Sequence, residues 1–158
     1  MVEKFTRRAL LSAAVLIAAP AAAQTDSAAG FVRDFYTKEI RRHAAGEGSS
    51  EPDFLAVFTG DAQKLWRAAQ ANRKRTKEPA GPILHVFFGQ GALPGREIKL
   101  GAVTASGRNA ISVALTIQGN PRTLVVHCVR EAGAWKISDI DYGNGESFVA
   151  YFRKRAGK

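Results

Sequence analysis

Cysteine is almost absent from this chain. Cys128 is the only one among 158 residues, so no intramolecular disulfide can form and the core alone must hold the fold. The same scarcity excludes a lipoprotein anchor near the N-terminus. CxxC, HExxH, GxSxG, the P-loop and the dinucleotide fingerprint are all missing, and with them the commonest redox, zinc, hydrolase and nucleotide signatures. Internal repeats are absent. Acids are scarce beside bases, 14 against 23, for a net charge of +9. Long apolar runs are lacking too. The longest, from Ala9 to Ala19, falls short of the roughly 20 residues that span a bilayer. Cys128 itself sits in the apolar run Leu124-Val125-Val126-His127-Cys128-Val129, where the default role is a small buried hydrophobe.

What is present begins at the N-terminus. Thr6-Arg7-Arg8-Ala9-Leu10-Leu11 opens the apolar run, Pro20 breaks it, and Ala21-Ala22-Ala23 precedes Gln24. A basic start, a short apolar stretch and a small-residue end make an export signal. The two arginines fit the twin-arginine pattern; a general secretory signal is the alternative. The expectation is a cleaved segment over 1–23 and a single periplasmic or secreted domain over 24–158, with no stable membrane anchor. About 135 residues are enough for one domain.

The positive charge gathers in Arg41-Arg42-His43, in Arg73-Lys74-Arg75-Thr76-Lys77 and in Arg153-Lys154-Arg155. Each cluster falls where a helix is expected to end, and cations there complement the helix dipole by about 0.3–1 kcal/mol each. That reading is favoured. The alternative is an anion-binding surface at Arg73, Lys74, Arg75 and Lys77, which after export would meet lipid headgroups or other envelope polymers rather than nucleic acid.

Apolar spacing predicts an amphipathic helix over Ala28–Arg42, carrying Phe31, Val32, Phe35, Tyr36 and Ile40. Ser50 caps a short helix starting Glu51-Pro52-Asp53. Thr59-Gly60-Asp61 opens a third helix reaching about Arg75, with Ala62, Leu65, Trp66 and Ala69 on one face. Ile83 to Phe88 reads as a short strand or a buried loop. The period then changes to two. Strands are expected over Glu97–Ala105 (Ile98, Leu100 and Ala102 inward), Asn109–Gln118 (Ile111, Val113, Leu115 and Ile117 inward), Arg122–Glu131 and Trp135–Tyr142. Turn-rich links join them. Glu146–Arg155 closes the chain as a helix. Helices followed by an antiparallel meander make an α+β fold, with N-terminal helices packed in a curved four-stranded sheet.

That order resembles the nuclear-transport-factor-two-like cone shared with ketosteroid isomerase. Phe31-Val32-Arg33-Asp34-Phe35-Tyr36 and Trp135-Lys136-Ile137-Ser138-Asp139-Ile140-Asp141-Tyr142 resemble a family of small exported bacterial proteins with this fold. Members often carry an acid in the apolar segment before the sheet; Leu84-His85-Val86-Phe87-Phe88-Gly89-Gln90 has none. The ending, Trp135-Lys136-Ile137, Asp139-Ile140 and Ser147-Phe148-Val149 with Tyr151, also resembles the periplasmic phospholipid-shuttle family.

Four residues are candidates for a pocket. His127 would face the cone interior as an acid–base group or ligand contact, or be a neutral histidine bonded to a neighbour. Asp139 and Asp141 share a strand face by period two with Trp135 and Ile137. They could do acid–base work, or shape a capped turn at Asp141-Tyr142-Gly143-Asn144-Gly145. Tyr36 would point a hydroxyl inward or pack at the helix edge. Neither a metal site nor a cofactor is expected. The expected function is non-enzymatic: binding of a small apolar ligand or an envelope partner, by a monomer or homodimer. The alternatives are a periplasmic lipid carrier and an isomerase or lyase centred on Asp139.

The export reading has a direct test. N-terminal sequencing of envelope material should begin near Gln24. Changing Arg7 and Arg8 to lysine should block export on the twin-arginine route, and unimpaired export would assign the general route.

Overall fold

The computed structural model describes residues 27–48, 50–77, 85–89 and 95–157. The signal segment 1–23 and residues 83 and 84 lie outside them. Helix α1, Ala28–Ala44, begins where the Ser27 side chain accepts from the Gly30 N–H at 3.0 Å. It buries Val32, Phe35, Tyr36, Glu39 and His43, one stripe at helical spacing. Ser50 caps α2, Glu51–Ala56, and Pro52 sits in its first turn. Thr59 caps α3, Gly60–Thr76, through the Ala62 N–H. The helix stops at Lys77 in the left-handed region, φ 52°.

Four strands follow: β1 Ile98–Ala105, β2 Ala110–Ile117, β3 Asn120–Glu131 and β4 Ala134–Asp141. They form one antiparallel sheet in the order β1-β2-β3-β4. The class is α+β, as the period change implies. Two hairpins close on two-residue loops, Gln118-Gly119 at φ 50° and 80° and Ala132-Gly133 at φ 48° and 82°. Both residues of each loop have positive φ, as a twisted hairpin requires. Gly119-Asn120-Pro121 is therefore not all linker, because β3 already starts at Asn120.

Two bulges correct the period-two expectation. The register slips between Leu100 and Val103, so Val103 is buried while Ala102 is exposed. Gly101 lies there, and a Cβ on it would come within 3.2 Å of the Ala114 Cβ. In β4, Cys128 pairs Ile137 and His127 pairs Asp139, leaving Ser138 as the extra residue. An inserted residue reverses the face of everything after it. Ile137, Ile140 and Tyr142 are consequently buried, and Asp139 and Asp141 do not share the Ile137 face.

The outer edge of β4 is not left bare. The Thr59 N–H donates to the Ile137 carbonyl at 2.9 Å, and the Ile137 N–H donates to the Val57 carbonyl at 2.8 Å. This drives Phe58 inward, where its ring stacks on Phe148 at 4.5 Å and on Phe87 at 5.9 Å. Phe148 opens the last helix, α4, Phe148–Arg155, which is capped by Ser147. The core runs from α1 through Phe58, Phe87 and Phe88 to the inward faces of β2 and β3.

Trp135 is half-buried rather than buried, because its strand position lies at the end of the β3–β4 hairpin. Phe58, fully buried, carries the larger share of the core. Phe58→Ala should cost about 3–5 kcal/mol in urea unfolding, the usual loss for a buried large aromatic. Trp135→Ala should cost less than half of that. Equal losses would place both rings in one core.

Candidate functional site

The four pocket candidates do not gather in one pocket: His127 and Asp139 are cross-strand partners on β3 and β4, while Tyr36 lies in the core. Tyr36 is fully buried, and its hydroxyl donates to the Phe87 carbonyl at 2.9 Å. Burial, and secondarily the neighbouring Cys128 thiol, raise its pKa well above the ordinary tyrosine value. Tyr142 acts alike, donating to the Val86 carbonyl at 2.7 Å. Burial first, then Tyr36 and the acids Asp139 and Glu146, raise its pKa. Two phenols thus pin one turn, His85 to Gly89. Burial pushes the Cys128 thiol up to about 12, far from a reactive thiolate.

His127 lies on the strand face opposite Leu124, Val126 and Cys128, so it does not face the core. Its register neighbours are Ala110 on β2 and Asp139 on β4. The Asp139 carboxylate is already committed: Oδ1 accepts the Ile140 N–H at 2.8 Å and the Val149 N–H at 2.9 Å. It is a second cap on α4. Asp141 Oδ1 accepts the Gly143 N–H at 2.8 Å, and Asn144 Oδ1 accepts the Glu146 N–H at 3.2 Å. Asp141 to Gly145 is a capped turn leading into the helix, the structural reading of that segment. Among the described residues no three His, Cys, Asp or Glu side chains gather as metal ligands. Arg73, Lys74, Arg75 and Lys77 lie exposed at the end of α3.

A groove the sequence did not reveal lies between the first half of α1 and the β3–β4 hairpin. It has a volume of about 500 Å³ and is walled by Phe31, Phe35, Val57 and Trp135. Phe31 and Phe35 stand one turn apart on α1, rings 6.5 Å apart at 24°. Asp34 and Lys38 flank them on the same helix. Arg130 and Trp135 are cross-strand partners, and the Arg130 guanidinium lies 5.0 Å above the indole. The lining is apolar and aromatic with a few charges at the rim, the makeup of a small-molecule site. The available signal was the width of the α1 stripe, since Phe31 extends it beyond the face that Val32 and Tyr36 bury.

A second cleft, about 560 Å³, lies between α3, α4 and β3. Its acids are occupied. Asp61 pairs with Lys64 at 3.2 Å, and Glu131 Oε2 accepts the Gly60 N–H at 3.2 Å.

The third feature joins buried His43 to half-buried His85. His43 and His85 rings meet at 5.4 Å and 81°, and both contact Phe88. His43 Nε2 and His85 Nδ1 have no hydrogen-bond partner among the described residues. Burial, then the adjacent His43, lower the His85 pKa to about 4.

Comparison with family models, curated proteins and solved structures finds no significant match for this chain. The groove is more apolar than the second cleft, and the histidine pair is a packing feature in which acid should disturb His85.

Free in the unfolded chain, His85 titrates near 6.5; folded, near 4. Between those values the unfolded state holds more protons, so stability falls as pH falls through the window. The loss reaches up to about 3 kcal/mol below pH 4. Urea unfolding at pH 7 and pH 4 should show a smaller acid loss in His85→Phe than in the parent. Parallel pH curves would remove His85 as the cause.

Proposed function

We propose that this chain is an exported, non-enzymatic binding domain of the nuclear-transport-factor-two-like cone class. Its ligand is a small apolar molecule with one acidic group, held in the Phe31–Trp135 groove. The single observation that carries the reading is that groove: two half-buried rings, Phe31 and Trp135, across a gap of about 500 Å³. Clefts of about 300–1,000 Å³ with apolar walls suit small ligands. Lys38 and Arg130 at the rim outnumber Asp34, which favours a negative headgroup over a positive one. Helices followed by a four-stranded meander support the cone, and the Arg7-Arg8 segment with Ala21-Ala22-Ala23 supports export.

The binding reading also fits the commitments of the polar groups. Tyr36 and Tyr142 spend their hydroxyls on carbonyls, and one Asp139 oxygen is engaged by two backbone donors. Each holds structure together, and none is aimed into the groove.

Dodecanoate is a suitable probe, having an apolar chain and one carboxylate. In a Trp66→Phe background Trp135 is the only indole, so its fluorescence reports the groove. Titration should give a saturable change, abolished by Phe31→Ala. Dodecanol should bind about tenfold more weakly, the value of one charge-assisted contact. A flat titration with both probes would reject the ligand reading, and equal affinities would reject the acidic headgroup.

A further inference from the structure

We propose that the adjoining C-terminal ends of α3 and α4 form a docking surface for an anionic phospholipid bilayer. In sequence the two basic clusters are nearly 80 residues apart, and nothing requires them to face one way. The fold brings them together. α3 and α4 run side by side in the same direction: Leu65 and Ala68 share a cleft with Val149 and Arg153, and Asn72 reaches the end of α4. The Asn72 side-chain N–H donates to the Arg155 carbonyl at 2.9 Å, while its oxygen accepts from Arg75. Asn72 thus clamps the two helix ends to each other.

Around that clamp, Arg73, Lys74, Arg75, Lys77, Arg153 and Lys154 are all exposed. No acid occurs from Asn72 to Lys77 or from Ala150 to Gly157; Glu78 is the first beyond the α3 cluster. A helix C-terminus carries about half a negative charge, so two of them offset about one of these cations. Dipole complementation therefore accounts for a minor part of the charge. The remainder is a positive surface.

The chemistry of the patch favours a bilayer. Its cations are exposed and spread over two helix ends, and among the described residues no buried polar group converges there on a single phosphate. Nucleic acid is less well served. Single strands bind by stacking bases on aromatic rings, and the nearby ring, Tyr151, is covered by the Arg155 guanidinium at 3.6 Å. A lipid surface needs neither rings nor base-edge contacts. It attracts each nearby Lys or Arg, and each raises partitioning about fivefold.

The test uses the mature chain and vesicles of phosphatidylcholine with or without phosphatidylglycerol. Cosedimentation should require phosphatidylglycerol and weaken sharply from low to physiological salt, where the Debye length shortens to about 8 Å. Arg153→Glu with Lys154→Glu should lower partitioning at least about 20-fold, and Arg73→Glu with Lys74→Glu should do the same from the other helix. Far-UV circular dichroism checks that each variant is folded. Arg41→Glu with Arg108→Glu changes the net charge equally outside the patch and should cost little. Three results would overturn the proposal: no binding to phosphatidylglycerol vesicles at low salt, an equal loss in the Arg41/Arg108 variant, or tighter binding to an oligonucleotide than to vesicles at equal phosphate.

Discussion

Ile137 gives both of its backbone groups to the segment between α2 and α3, and much of the structure hangs on that exchange. The Val57 carbonyl and the Thr59 N–H pair with it, covering an edge that would otherwise present open hydrogen-bonding groups. Three consequences follow from the same three residues. Phe58 is turned into the core against Phe87 and Phe148. Val57 is left on the outside as a wall of the groove. Thr59 is placed to cap α3, which sets the direction of that helix and brings its end beside α4.

The interior is aromatic, and that creates a polar problem it solves unevenly. Tyr36 and Tyr142 each find a carbonyl in the His85–Gly89 turn, so both hydroxyls are satisfied and the turn is held at two points. His43 and His85 pack as rings against Phe88 but leave a nitrogen each without a partner among the described residues. The His85 ring, its pKa lowered by burial, is tolerated while uncharged and becomes costly once protonated. The turn is tied at its tyrosine side by two hydroxyls and carries His85, whose pKa burial lowers, on its other side.

Groove and basic surface answer different chemistry and use different elements. The groove is built from α1 and the β3–β4 hairpin, with Arg130 lying over Trp135. The basic surface is built from the far ends of α3 and α4, joined by Asn72. Neither draws on the residues that the other uses. A domain could therefore rest on an anionic surface and still present the groove to a ligand.

Local chemistry by itself determined the elements. Ser27, Ser50, Thr59 and Ser147 cap the four helices, because a short hydroxyl side chain reaches the N–H three residues on. The inward residues of β2 follow simple alternation, Ile111, Val113, Leu115 and Ile117. The turn at Asp141 was legible for the same reason, since Asx turns are made within a few residues. Whatever depended on distant partners was decided only in three dimensions. The bulges at Gly101 and Ser138 arise from pairing with β2 and β3, and each reversed a face that periodicity alone had assigned. Tyr36 meets Phe87 across 51 residues, and Asn72 meets Arg155 across 83. No local pattern encodes such contacts, because they are fixed by how the helices pack on the sheet. The groove belongs with them: Phe31, Val57 and Trp135 are ordinary apolar residues in sequence, and only their packing leaves a gap between them.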